Sequence, residues 1–93
     1  MSFADLLSEL AGPVIQAPMA GVHNHRLAAA VCEAGGLGSL AAAMLTPESL
    51  QTELQALSRA TDRPYNVNFF CHTPPTADPA QQAAWQEALA PYY

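Results

Sequence analysis

Three times along this chain a short extended run of apolar residues is followed by a signal for starting a helix. "PVIQA" (13–17) precedes Asn24, "LGSLA" (37–41) precedes Thr46-Pro47-Glu48, and "PYNVNFF" (64–70) precedes Asp78-Pro79 with Gln81. Asn, Thr and Asp side chains accept from the free N–H groups of a first helical turn, and proline suits the position whose N–H has no partner. This predicts helices over 24–34, 46–59 and from 78 onward. The first carries Leu27, Val31 and Ala34 at helical spacing and stops at Gly35; the second buries Leu50, Leu54 and Leu57; the third holds Trp85 and Leu89. Ser2 and Asp5 form a capping box ahead of Phe3, Leu6, Leu7 and Leu10, which predicts a short N-terminal helix closed by Gly12. Alternating strands and helices with short joints specify βαβ units on a parallel sheet, and the class is α/β. Doubly wound sheets and (β/α)8 barrels both begin this way. A barrel takes about 200 residues or more, so a barrel parent makes residues 1–93 a single N-terminal fragment, a partial TIM-type barrel of three βα units.

The remaining composition narrows the partners. Eight acidic residues against three basic give a net charge of −5, which argues against nucleic acid and anionic membrane surfaces, since both need clustered Lys and Arg. "MSFADLLSEL" lacks a basic leader region, and no apolar run approaches the ~18–20 residues that span a bilayer. The expectation is a cytoplasmic chain with no membrane partner. Cys32 and Cys71 form no CxxC pair and are expected as reduced thiols. Much of the hydrophobic content is alanine, which favours close helix packing around a thin core.

Ligands of parallel sheets sit beyond the carboxyl ends of the strands, here Pro18–Gly21, Ala41–Ala43 and Asn68–His72. Asn68 ends the third strand on the face opposite Val67 and Phe69. A buried carboxamide there needs a partner, either a ligand with donors and acceptors or neighbouring backbone, and the residues alone leave both open. Gln16 is expected to be structural. "AGGLGSL" lacks the third glycine of a phosphate loop and precedes a strand, so Gly38 is expected to permit a close approach of strand and neighbour. His23 and His25, with Cys71 and His72, leave the same end of the sheet and have ligand chemistry for a metal, but no acidic ligand accompanies them. They read as solvated loop histidines, and Cys71 as a nucleophile has only His72 beside it to lower its pKa.

Together "PVIQAPMAGV", "LAAAVCEAGGLGSLAAAMLTPESLQTELQAL" and "TDRPYNVNFF" resemble the N-terminal part of the nitronate monooxygenases, formerly 2-nitropropane dioxygenases, over roughly Pro13 to Tyr93. The resemblance implies an FMN-dependent barrel that oxidises alkyl nitronates with O2. It implies that Ala17, Pro18, Met19 and Ala20 form part of the FMN pocket through backbone groups and the Met19 side chain, and that Asn68 contacts FMN. The family's phosphate loops and catalytic histidine lie beyond the matching segment, so no catalytic role passes to His23, His25 or His72. "GVHNH" departs from the small and Thr-Pro residues common there and leaves its histidines unexplained. The isolated segment is expected to be inactive. The competing expectations are a related flavin-barrel enoyl-acyl-carrier-protein reductase and a non-catalytic partial barrel that self-associates through an exposed sheet edge.

Overall fold

The computed structural model describes residues 2–93. Helix α1 (Phe3–Ser8) is followed by α2 (His25–Glu33), strand β1 (Gly38–Ala41), α3 (Pro47–Ala60), β2 (Tyr65–Asn68), α4 (Pro79–Leu89) and a single 3₁₀ turn at Ala90–Tyr92. The helix starts follow their caps. Ser2 and Asp5 close a reciprocal box, Asn24 accepts from the Arg26 N–H, Thr46 from Ser49, and Asp78 from both Ala80 and Gln81. Helix α1 ends at Ser8, before the expected Gly12, and buries none of its residues.

Helix α2 ends in a Schellman motif. Gly35 takes φ +96°, its N–H donates to Cys32 and that of Gly36 to Val31, so the last carbonyls are satisfied as the chain turns into β1. Helix α3 instead stops at Thr61, whose buried hydroxyl donates to Glu33 at 2.6 Å and ties the ends of the two helices together.

Strands β1 and β2 are parallel, with Gly38 opposite Tyr65 and Ala41 opposite Asn68. The first extended segment corrects the expectation of three strands, because it contributes a single parallel bridge, Ile15 to Leu37. Leu37 donates to the Val14 carbonyl and Gln16 to that of Leu37, as in a parallel ladder. The next rung is different. The Ser39 N–H, due to meet the Gln16 backbone carbonyl, goes to the Gln16 side chain at 3.1 Å, and the strand ends there.

Ala28, Ala29, Leu40 and Leu57 form the buried core, with Leu50, Leu54 and Tyr65 packed against it. Small residues on α2 bring that helix down onto β1. A β-carbon at Gly38 would overlap the Ala28 carbonyl oxygen and lie 2.8 Å from Cys32 Sγ, so the expected close approach is real and its partner is the α2 backbone. Past Asn68 the packing stops, and Phe69 through Tyr93 are all exposed. The radius of gyration, 18.0 Å, accordingly exceeds the about 12 Å of a compact chain of this length.

Candidate functional site

Because the first extended segment, β1 and β2 run parallel with β1 in the middle, they end at one rim. Ala17–Ala20 leave that rim after the first segment, and Asn68 closes β2 on it. Gly38, Leu40, Tyr65 and Val67 share one sheet face, with Leu40 and Tyr65 in the helix-covered core. Ser39, Ala41, Asn66 and Asn68 occupy the other.

That second face carries a row of polar side chains. The fully buried Ser39 accepts at its hydroxyl from Asn66 Nδ2 at 3.2 Å, and its backbone N–H donates to the Gln16 side chain of the neighbouring segment. The residue expected to be structural, Gln16, is therefore structural in a specific way. Asn68, two residues beyond Asn66, is half-buried; its backbone carbonyl accepts from the Ala42 N–H, while its carboxamide has no hydrogen bond among the described residues.

The loop after Gln16 is folded on itself. The Met19 carbonyl accepts from the Val22 N–H at 3.2 Å, and the Met19 N–H donates to His23 Nε2 at 2.9 Å. Both backbone groups of Met19 are thus engaged within the loop, and the residue as a whole is 42% exposed. Ala17 and Ala20 are exposed and Pro18 is half-buried.

The histidines have roles that the sequence pattern does not reveal. His25 caps the gap between α2 and α3, its backbone N–H and Nδ1 both reaching Glu53 Oε2, at 2.8 and 2.9 Å. Burial raises the Glu53 carboxyl, but these two hydrogen bonds and the imidazole charge outweigh it and hold the carboxyl below its ordinary 4.5. The pairing joins residues 28 apart, and no local pattern announces it. Cys71 is exposed, and the His72 ring lies 5.8 Å from that of Phe70. Among the described residues no three His, Cys, Asp or Glu side chains come together as a metal site.

An open groove of about 920 Å³ lies between the N-terminal halves of α2 and α3, with Ala20, Arg26, Leu40, Met44 and Glu53 among its walls. Ala20 touches it, whereas Met19 and Asn68 do not. The groove meets the polar strand face at Ala41. No helix among the described residues is long and apolar enough to cross a membrane.

The nitronate monooxygenase family profile matches residues 3–92. The chain belongs to the nitronate monooxygenase family. It is 47% identical over 81 residues to a nitronate monooxygenase from Paraburkholderia phytofirmans, an alignment covering 87% of this chain and 22% of that protein. Among solved structures it is similar to nitroalkane oxidase from Streptomyces ansochromogenes, with a TM-score of 0.74 and 41% identity over 94% of this chain and 24% of the other. It is also similar to FabK from Thermotoga maritima, with a TM-score of 0.66 and 37% identity over 76% and 22%. The chain thus spans about a quarter of the length of the family members it matches.

Proposed function

We propose that this segment forms one wall of the flavin site in an FMN-dependent nitronate monooxygenase built on a (β/α)8 barrel. The observation that carries the reading is the shared rim, where the Ala17–Ala20 loop and the Asn68 carboxamide leave the sheet at the same end. The residues there fit a flat heterocycle. Ala17 and Ala20 are small, Pro18 fixes the turn, Met19 presents a polarizable thioether, and Asn68 offers an unengaged donor and acceptor. When bound, FMN would supply the redox chemistry between nitronate and O2, which no side chain of this segment performs.

The segment's own contribution is to bind and orient. Asn68 would hold the flavin by donating and accepting hydrogen bonds, and Met19 would give it an apolar contact. Neither moves a proton, and the 93 residues alone are expected to leave the flavin without a phosphate site.

The test is a chimera in which this chain replaces the matching segment of the Paraburkholderia relative. It is expected to co-purify with flavin and to consume O2 when given an alkyl nitronate. In it, Asn68→Ala lowers flavin affinity by about tenfold, as expected for one lost hydrogen-bonding group in a desolvated site. A colourless chimera that is nevertheless folded defeats the proposal. A second reading, an enoyl-acyl-carrier-protein reductase on the same scaffold, rests on the likeness to FabK, whose 37% identity nearly equals the 41% to the nitroalkane oxidase. Enoyl-dependent NAD(P)H oxidation by the chimera, without nitronate turnover, selects that reading.

A further inference from the structure

We infer that His23 is the positioning residue of the Ala17–Val22 loop, and that it acts as a neutral imidazole with its proton on Nδ1. The inference concerns a residue to which the resemblance gives no role, and it rests on the reading above only in taking that loop as the cofactor-facing one.

The hydrogen bonds leave one solution. A backbone N–H can only donate, so Met19, 2.9 Å from His23 Nε2, requires that nitrogen to be an acceptor. The remaining proton is then on Nδ1, which faces the carbonyl of Asn24 at 3.3 Å, an acceptor only. Gln16 agrees from the other side. Its Oε1 is committed to the Ser39 N–H, so its Nε2 is the end that meets His23 Nε2 at 3.1 Å, as a second donor. Two donors converge on one lone pair, and neither tolerates a proton there.

The consequence is a continuous chain of contacts across three extended segments. Met19 donates to His23, which also receives Gln16; Gln16 receives the Ser39 N–H; and Ser39 receives Asn66. Asn66 shares its face with Asn68. The loop is thereby tied to Gln16 and, through Ser39, to Asn66, which lies two residues before Asn68 on the same strand face. His23 touches the loop rather than any reacting group, so its effect is on the loop's shape.

The experiment uses the 93-residue chain and nuclear magnetic resonance. Imidazole nitrogen–proton correlations are expected to show His23 with the proton on Nδ1. In His23→Leu, which removes the acceptor, the Met19 amide is expected to exchange about five- to tenfold faster, the change that follows from losing one ordinary hydrogen bond. The Thr61 amide, bonded to Leu57 in the core, is expected to exchange at its original rate and reports that the variant is folded. His23→Gln, which restores an acceptor at the distance of Nε2, is expected to bring Met19 back towards the original rate. A proton found on Nε2, or a Met19 amide indifferent to His23→Leu while Thr61 is unchanged, overturns the inference. If instead His23→Leu destabilises Thr61 as well, the imidazole correlations of the unsubstituted chain decide alone. Flavin retention by the chimera carrying His23→Leu is a separate measurement: undiminished flavin with a loosened Met19 amide counts against the flavin wall and leaves the hold of His23 on the loop intact.

Discussion

Helices α3 and α4 begin in the same way and end in opposite circumstances. Each has a side-chain oxygen accepting from the first turn and proline directly after it, Thr46-Pro47 in one and Asp78-Pro79 in the other. Helix α3 spaces Leu50, Leu54 and Leu57 along one face and delivers Leu57 to full burial. Helix α4 distributes alanine, glutamine and Trp85 around its circumference, and none of its residues is buried. The difference teaches that capping decides where a helix starts, while placement requires both an apolar stripe and a surface to receive it. For α3 that surface is made by α2 and by Tyr65 of β2. Beyond β2 the described chain offers no further strand, and Trp85 stays 61% exposed.

The contrast can be broken most severely at its packed end. Gly38→Ala forces a methyl group into the α2 backbone, which cannot yield as a side-chain tip would. The expected loss is about 3 kcal/mol or more, a large share of the stability of any domain this small, read as a collapse of the urea midpoint followed by circular dichroism. Leu57→Ala is expected to cost about 2–4 kcal/mol in the same assay, against about 0.5 kcal/mol or less for Trp85→Ala. Equal losses at these two positions would mean that α4 is packed in solution.

The Glu53 pair sharpens the comparison on the packed side. With its carboxyl held below 4.5 in the fold, the pair contributes stability above that ordinary value and loses it as the pH falls through the lowered one. Glu53→Gln is therefore expected to flatten the decline in thermal midpoint on acidifying below about 4.5, and an unchanged decline would show the pair to be idle. The smallest effect is expected at the other exposed helix. Ser2→Ala removes the capping box and frays α1, but α1 buries nothing, so amide exchange in residues 3–8 rises while the global midpoint stays within about 0.5 kcal/mol.

How much of this was legible in the sequence depended on distance along the chain. The caps at Ser2, Asn24, Thr46 and Asp78 act within three residues, and each is found where its pattern predicts. The need for glycine at 38 was legible, but the atom it makes room for, the Ala28 carbonyl, follows only from the path of α2. The first strand was overestimated. "PVIQA" reads as a strand, yet the ladder stops where the Gln16 side chain takes the Ser39 N–H, 23 residues away, which no local periodicity encodes. The histidines were illegible for the same reason: His25 answers to Glu53, and His23 is defined by a fold-dependent convergence of Gln16 and Met19. The expected site residues on the Met19 loop and at Asn68 came from the family resemblance, and the structure adds that the Met19 N–H is committed to His23.

One further property follows from the Gln16 side chain completing the rung that a main-chain carbonyl would otherwise make. Gln16 and His23 are separated by seven positions, and both ends of that interval are clamped, one to Ser39 and the other to Met19. The interval behaves as a ruler of fixed length. Inserting or deleting a single residue between the two clamps would carry the imidazole away from its donors while Gln16 stays on Ser39.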